Sequence, residues 1–489
     1  MKLRELLEGV DVRSGGEDFA AEVTSVTADS RQCQPGSLFV AIPGLQQDGA
    51  LFIDSAVRKG AVVIVGESAG PSTFILVDDA RKALAQIAAN FYGRPARKLS
   101  LIGVTGTSGK TTTTKMIESI LDATGQPVGL IGTIEYRAGE IREIADRTTP
   151  DAVVLQEWFA RMVSEGVKWA VMEVSSHALA LHRTKGVPFA VAVFTNLTRD
   201  HFDFHQDFEQ YFAAKKILFE QIDRSAKTAV INIDDPYGRR LAGEIGHSAV
   251  MTVGLGEEAE VHPEKGLKID LMGLDGRVAT PLGSCRLQSP LVGRPNLYNW
   301  LSAIGAAILA GIDLPTIERG ITALPIVRGR FERVVAEGAI VLIDYAHKPD
   351  ALEKLLTSVR ELAPDRKLVL VFGCGGDRDQ GKRAIMGEIA GRLADVTIIT
   401  SDNPRSENPA SILAAVEQGI RKASAARYEI IADRRRAIER GIAHGNASNV
   451  VVIAGKGHET YQVIGDEILH FDDREEALQA LARSADNGV

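Results

Sequence analysis

The chain has 489 residues, more than one hydrophobic core ordinarily holds, which predicts two to four domains. Its 45% hydrophobic and 25% charged residues exclude a disordered or fibrous chain. Lys and Arg total 56 against 64 for Asp and Glu, and the net charge of -8 argues against a general binder of nucleic-acid backbone, while a small phosphorylated ligand needs only a local basic site. Cys33, Cys285 and Cys374 are too far apart for metal-type spacing and suit a reducing compartment. The opening MKLRELLEGVDVRSGG lacks the apolar run of a secretory signal, and no stretch nears the ~20 apolar residues of a membrane helix. The expectation is a cytoplasmic protein with no membrane or nucleic-acid partner.

Residues 1–97 form a first segment in which short apolar runs (SLFVAI, AVVIV, FILV) alternate with Gly and Pro turns. It ends in a helical stretch, ARKALAQIAANFYG, and the breaker GRPARK. A second segment, 98–327, opens with the apolar strand LSLIGV and a Gly-rich turn. The helix after it carries Met116, Ile117, Ile120 and Leu121 on one face and stops at Gly125. The runs VGLIGT, WAVMEV, FAVAVFTN and TAVIN then alternate with helical patterns, which predicts a parallel sheet covered on both faces. Between about 250 and 290 the pattern alternates and is Gly-rich, predicting an antiparallel insertion. The third segment, 328–489, opens near VRGRFERV and holds four apolar runs: IVLIDYAH, KLVLVFGCGGDRD, VTIITSDNPR and VVVIAGKGHE. Each runs into a polar, Gly- or Pro-containing loop at its carboxyl end. In open α/β sheets ligands bind beyond the carboxyl ends of the strands, so four such loops predict a ligand-binding edge. A helix between the first two runs carries Leu352, Leu355, Leu356, Val359 and Leu362 at helical spacing. No internal repeat or low-complexity tract is present.

The sharpest chemical signal is GVTGTSGKTTTT at 103–114. Its glycines let backbone N–H groups approach phosphate oxygens, Lys110 can reach the terminal phosphates, and Thr111 can bind magnesium. Five residues separate Gly103 from Gly109 where the usual phosphate loop has four, and Val104 stands where the strict consensus has Gly. A Gly-rich turn with an incidental lysine is the bland alternative. Glu173 ends an apolar strand facing the loop, although a lone glutamate there is usually just solvated. His201 lies in RDHFDFH, where a loop histidine bonded to backbone is as good a reading.

Phe208, Tyr211, Phe212, Lys215, Phe219 and Ile222 share one face of an expected helix, and Lys216 lies off it. Lys215 either snorkels from that apolar stripe or is desolvated to a neutral amine able to react with carbon dioxide. Arg405 in DNPR and Arg378 in GGDRD end adjacent apolar runs, and Pro404 stiffens one loop. Their planar forks suit a carboxylate, against the usual reading of surface arginines.

GTSGKTTT with that shifted first glycine resembles the Mur ligase family and its folylpolyglutamate synthase relatives. The likeness runs in order through TTPD (148–151), EVSSHALALHR (173–183), NLTRDHFDFH (196–205), YFAAKK (211–216), GRPNLYN (293–299), GRFE (329–332), DYAHKPDAL (344–352), DNPR (402–405) and GKGHE (455–459). DSR (29–31) and GLQQDG (44–49) look like the UDP-sugar-binding domain of the branch that adds diaminopimelate or lysine.

The resemblance implies an α/β fold of three domains: precursor-binding at 1–97, a central P-loop parallel-sheet ATPase at 98–327, and a C-terminal Rossmann-like amino-acid domain at 328–489. It implies ATP, Mg2+ and a carbamate on Lys215. The ATP residues are Gly106, Thr107, Ser108, Gly109, Lys110, Thr111 and Thr112, with Asn296 and Asn299 on the adenine side and Arg330 and Asp344 from the third domain. Thr111, Glu173, His201 and carbamylated Lys215 are the implied metal ligands, and Lys110, His201 and Lys215 the catalytic set. Ser30, Thr148, Thr149, Ser175 and Arg183 are implied for a UDP-N-acetylmuramoyl dipeptide. Arg378, Asp402, Asn403, Pro404, Arg405, Gly455 and Glu459 are implied for meso-diaminopimelate. The expected reaction phosphorylates the precursor's D-glutamate side-chain carboxylate, after which the amine of diaminopimelate displaces phosphate in a monomeric enzyme whose domains close on the site. Ala50, where relatives often have His, and Leu181, where some have Gln, depart from the pattern and bear on precursor contacts. A lysine-adding ligase, a folylpolyglutamate synthase and a nucleotide-gated non-catalytic binding protein are the rival readings. The segment with DSR and GLQQDG argues against the second, and Glu173, His201 and Lys215 together argue against the third.

Overall fold

The computed structural model describes residues 1–15, 22–44, 47–68, 74–222, 228–246, 250–336, 339–423, 427–445 and 448–486. By its contacts the chain divides into two compact units. The first comprises Met1–His262, Ala279–Ser284 and Tyr298–Gly320; the second comprises Pro263–Val278, Cys285–Leu297 and Ile321–Val489.

Within the first unit, one sheet runs in the order Val12–Ser14, Phe74–Val77, Ala61–Gly66, Ser37–Ala41, Ser25–Thr27, parallel except at the first strand. Its central strands are buried on both faces, whereas the edge strand Val12–Ser14 is largely exposed. Leu38 and Val40 pack with Leu84 and Ile87, while Phe39 and Ala41 pack with Ala56 and Cys33 on the other side. The helix Ala80–Phe91 starts at Asp79, whose carboxylate accepts the N–H groups of Arg81 and Lys82, and it ends before Gly93 at φ +74°.

The same unit holds a larger sheet in the order Val250–Val253, Ala229–Asn232, Phe189–Phe194, Ser100–Thr105, Trp169–Glu173, Val128–Ile131, Glu135–Ala138, Ile141–Ile144. Its first six strands are parallel. The last two form a hairpin that sequence patterning did not predict, although Gly139 at φ +59° followed by Glu140 is a two-residue turn signal. The helix Lys110–Asp122 buries Met116, Ile117, Ile120 and Leu121 as expected. The helix over 208–222 is shorter than expected: an α-helical Phe208–Lys216 tightens to a 3-10 turn at Ile217–Glu220. Tyr211, Phe212, Lys215 and Phe219 nevertheless remain buried.

In the second unit, Lys268–Asp270 pairs antiparallel with residues 273–275, within the expected insertion. Leu271 and Val292 join a core with Phe331, Leu352 and Leu356. The main sheet runs Glu332–Ala336, Ala339–Asp344, Asn449–Ala454, Lys367–Phe372, Val396–Ile399, Tyr428–Ile430, parallel after the first strand. The four apolar runs are therefore adjacent, and their loops leave the same edge. A hairpin of Tyr461–Ile464 and Glu467–His470 follows, turned at Gly465 (φ +60°) and Asp466.

Helices Gly381–Leu393 and Pro409–Ile420, which follow the Arg378 and Arg405 loops, meet at two glycines. A Cβ on Gly387 would lie 2.1 Å from Val416 O, and one on Gly419 1.8 Å from Ala384 O. Alanine is the better helix former by ~1 kcal/mol, but backbone overlap of this kind costs about 1–3 kcal/mol. Gly419→Ala is therefore expected to destabilise these two helices, whereas Gly243→Ala, with open space around its Cβ, is expected to be neutral or stabilising. Hydrogen exchange resolved over 381–420 for the first variant and over 236–245 for the second checks this, since a chain of this size unfolds in more than one step.

Candidate functional site

Strand Ser100–Thr105 passes through Gly106–Gly109 into helix Lys110–Asp122, so the positive end of the helix dipole faces the loop. Gly106 (φ +150°) and Gly109 (φ +87°) leave no room for a side chain: a Cβ would lie 1.9 Å from Thr195 Oγ1 and 2.5 Å from Asn299 Oδ1 respectively. The loop is braced by the residues that end strand Phe189–Phe194. Thr107 N–H donates to Asn196 O (2.8 Å), Ser108 N–H to Asn196 Oδ1 (3.0 Å), and Thr195 Oγ1 to Ser108 O (2.7 Å). Thr113 Oγ1 donates to Asn299 Oδ1 at 3.3 Å, which brings Asn299 to the loop, and Thr112 is buried in the helix's first turn. Lys110 Nζ donates to the carbonyls of Gly106 (2.9 Å) and Thr107 (3.1 Å).

Parallel register sets Glu173 beside Val104. Its buried carboxylate accepts Thr111 Oγ1–H at 2.9 Å, Thr133 N–H at 2.7 Å and Thr133 Oγ1–H at 3.1 Å. Thr133 Oγ1 lies 3.0 Å from Thr148 Oγ1, and Thr149 Oγ1 donates to Glu173 O at 2.8 Å. Ser175 N–H donates to Thr149 Oγ1 (3.1 Å), and its hydroxyl caps the helix Ser176–Ala180. Arg183 Nη1 donates to Thr149 O at 2.9 Å, and burial, with Arg147 nearby, lowers the pKa of its guanidinium. The structure thus gathers Thr148, Thr149, Ser175 and Arg183 around Glu173. Ser30 is not joined to them by any hydrogen bond; it is buried in the Asp29-capped turn Ser30–Gln32. Ala50 N–H donates to Asp48 Oδ1, Leu181 caps the helix Ser176–Ala180, and Leu45 and Gln46 of GLQQDG lie outside the described residues.

Lys215 is 1% exposed, its Nζ donating to Gly106 O at 2.8 Å and lying 4.4 Å from the centre of the Tyr211 ring. Burial, then the charge of Lys110, pulls its pKa well below the usual lysine range. Tyr211 OH sits 3.2 Å from Thr107 Oγ1. His201, in left-handed backbone at φ +56°, flanks the other side of this group, its ring 6.2 Å from Tyr211 and 4.7 Å from His177. His205 bonds Ser176 Oγ at 2.9 Å, and burial lowers its pKa to about 4. Among the described residues no group of three or more His, Cys, Asp or Glu side chains is placed to hold a metal ion. The expected metal set draws on only two such residues, with the Thr111 hydroxyl and the Lys215 amine beside them.

The second unit builds its own site at the sheet's carboxyl edge. Asp344 accepts the N–H groups of Phe331 (2.7 Å) and Ala346 (2.9 Å); burial raises its pKa, and nearby Arg330 opposes that. The Arg330 guanidinium lies 4.9 Å from the centre of the Tyr345 ring, and Gly455 N–H donates to Asp344 O. Asn296, buried at the start of its helix, donates from Nδ2 to Val292 O at 2.8 Å. Arg405, at φ +53°, donates from Nη1 to Gly376 O at 2.7 Å, while Arg378 is exposed on that glycine-rich loop. Pro404 O lies where a Cβ on Gly376 would fall, at 1.9 Å. Asn403 Nδ2 donates to Glu459 Oε2 at 3.0 Å, and a Cβ on Gly455 would lie 3.5 Å from Asp402 Oδ2.

Sequence reasoning missed several contributors: Thr133, Thr195, Asn196, Lys456 and Arg434. Thr195 and Asn196 were visible as the polar end of FAVAVFTN, and Lys456 lies inside GKGHE.

Family models described as the Mur ligase middle domain, the Mur ligase glutamate ligase domain, and the Mur ligase family catalytic domain match residues 104–307, 329–457 and 22–92. A UDP-N-acetylmuramoyl-L-alanyl-D-glutamate–2,6-diaminopimelate ligase from Thermosynechococcus vestitus is 46% identical over 98% of this chain and 98% of its own length. One from Gloeobacter violaceus is 45% identical over 100% of this chain and 99% of its own. A solved structure bearing the same enzyme name superposes with a TM-score of 0.72 at 31% identity, covering 99% of each chain. With these matches along its whole length, the chain belongs to the Mur ligase family.

Proposed function

We propose that the chain is an ATP-dependent ligase that adds meso-diaminopimelate to the D-glutamate side-chain carboxylate of UDP-N-acetylmuramoyl-L-alanyl-D-glutamate, a step of peptidoglycan precursor synthesis. The observation that carries this is the full-length likeness to ligases of that name. The site supports it with a phosphate loop, a buried carboxylate and a buried lysine. The proposed domain spans are 1–97, 98–327 and 328–489, and the enzyme is proposed to work as a cytoplasmic monomer. Among the described residues no helix is long and apolar enough to cross a membrane.

Gly106 to Thr112 would cradle the ATP phosphates, with Asn296 and Asn299 toward adenine and Arg330 and Asp344 contributed by the C-terminal domain. Ser30, Thr148, Thr149, Ser175 and Arg183 would bind the UDP-linked precursor. Arg378, Asp402, Asn403, Pro404, Arg405, Gly455 and Glu459 would bind diaminopimelate, with the Arg405 fork on its distal carboxylate. Thr111, Glu173, His201 and a carbamate on Lys215 would hold magnesium, which would supply positive charge to the transferring phosphoryl group. The donor chemistry fits: the Glu173 carboxylate already meets the Thr111 hydroxyl at 2.9 Å, and oxygen donors suit a hard cation, His201 being the softest member.

The precursor carboxylate oxygen attacks the γ-phosphorus and the bond to ADP breaks, leaving an acyl phosphate. The free amine of diaminopimelate adds to the acyl carbon, and the tetrahedral intermediate expels phosphate as its C–O bond breaks, the proton lost from the nitrogen leaving on the phosphate. Lys110 offsets charge on the phosphoryl oxygens throughout the first step.

Lys110→Ala is expected to lower kcat at least ~100-fold with the fold intact, read by phosphate release and circular dichroism; near-native turnover removes the loop from the mechanism. L-lysine lacks the distal carboxylate, so the native enzyme is expected to prefer meso-diaminopimelate by about 10⁴-fold, a preference largely lost in Arg405→Ala. Competing turnover of the two amino acids measures it, and equal use promotes the lysine-adding reading.

A buried lysine ammonium beside the proposed magnesium ions would be desolvated and repelled by like charge, whereas carbamylation turns Lys215 from a positive group into a negative ligand. Labelled bicarbonate is expected to give a carbamate signal in the native protein that disappears in Lys215→Ala. Activity should vanish in Lys215→Ala and Lys215→Arg, with partial recovery of the alanine variant in acetate. A fully active enzyme with no carbamate signal overturns this role.

A further inference from the structure

Lys456 is 0% exposed, and no part of the reaction outlined above uses it. Its Nζ lies 3.1 Å from Asn403 Oδ1, 3.5 Å from Asp402 Oδ1 and 3.5 Å from Glu459 Oε2, with the Tyr461 ring centre at 5.5 Å. A buried ammonium is retained only where opposite charge and acceptors surround it, and here two carboxylates and an amide oxygen do so.

Two consequences follow for the residues that would meet the amino acid. Asn403 Oδ1 accepts from both Lys456 Nζ and Val463 N–H (3.0 Å), so its NH₂ must turn the other way, onto Glu459 Oε2 at 3.0 Å. Lys456 and Val463 N–H together thus fix which end of the amide Glu459 sees. Lys456 also balances the buried Asp402 carboxylate and the half-buried Glu459 carboxylate, which otherwise repel one another. Burial raises the Glu459 pKa, Asp402 raises it further, and Lys456 is the largest influence lowering it. Tyr345 OH at 3.4 Å, Tyr461 and the buried Arg434 also face this carboxylate.

We propose that Lys456 is a positioning residue for the amino-acid substrate: it holds Asn403 and Glu459 in the arrangement that accepts the ammonium group at the distal, zwitterionic end of the incoming diamino acid, while Arg405 takes the neighbouring carboxylate. This rests on the diaminopimelate reading above. Among the described residues Asp402 Oδ1 has no hydrogen-bond partner; the charges beside Asp402 are Lys456, at 3.5 Å, and the buried Arg434, so Asp402 serves Lys456 as a counter-ion.

The test compares full-length native enzyme and Lys456→Met for KM of meso-diaminopimelate, KM of ATP and kcat, from mildly acidic to alkaline pH. The expected result is a rise of at least ~10-fold in the KM for diaminopimelate with the KM for ATP within about twofold. Without Lys456 the Glu459 carboxyl ionises only at higher pH, so the defect should be greatest at low pH and shrink as pH rises. In a Glu459→Gln background, Lys456→Met should add little and the pH dependence should disappear. If Lys456→Met does not fold, Lys456→Gln, which keeps a polar group in the buried position but removes the charge, takes its place with the same expected rise. An unchanged KM for diaminopimelate in the folded variant, or a loss shared equally by ATP, overturns the proposal. Failure of the native enzyme to use diaminopimelate overturns the substrate reading instead.

Discussion

The carbonyl oxygen of Gly106 accepts two lysine side chains, Lys110 at 2.9 Å and Lys215 at 2.8 Å. One belongs to the phosphate loop's own helix, and the other comes from more than a hundred residues away. Two ammonium groups so close, one of them fully buried, would repel strongly in a low-dielectric interior. The arrangement is relieved if Lys215 is neutral, which is the direction its burial already imposes. The backbone that offers this carbonyl exists only because Gly106 and Gly109 take conformations closed to other residues and have Thr195 and Asn299 pressed against them. The loop's shape, the lysine's chemistry and the metal set proposed around it therefore rest on one short stretch of glycine backbone.

Parallel sheets make such a stretch possible twice. Adjacent parallel strands deliver their carboxyl-end loops to one edge, and in the first unit that edge receives Gly106, Glu173 and Thr195 from three neighbouring strands. In the second unit it receives Asp344, Gly375, Asp402 and Gly455 from four. Arg434, with no exposure and paired to Asp473, donates to Ser401 O and Ala454 O and so ties two of those loops together. Helix packing holds them at a second level, through the glycines at 387 and 419.

What was legible beforehand was local or periodic. The phosphate loop and its helix are contiguous, and the four apolar runs of the C-terminal segment are each one strand long. The face carrying Lys215 obeys a helical period even though the helix tightens at Ile217. The unread part consists of pairings across long sequence gaps. Thr133 meets Glu173, Asn196 meets Ser108, and Asn299 meets Thr113; no window of sequence contains both partners. The hairpins at 135–144 and 461–470 carry turn signals at Gly139 and Gly465, but their strands are short and half exposed, so periodicity alone did not separate them from loop. Segments 263–278 and 285–297 read as part of the central segment by order, yet their contacts group with the C-terminal unit, because Leu271 and Val292 find their apolar partners there.

Lys215 and Lys456 show how the same residue type is put to opposite use by its neighbours. Both are among the largest fully buried side chains. Lys215 is offered one carbonyl, an aromatic face and a second cation, surroundings that favour a neutral amine and hence a nucleophile toward carbon dioxide. Lys456 is offered two carboxylates and an amide oxygen, surroundings that give its positive charge a counter-ion on each side. Burial alone therefore predicts nothing about a lysine's role. The sign of the charge around it does, and in this chain it separates a group suited to chemical modification from one suited to holding a binding site in register.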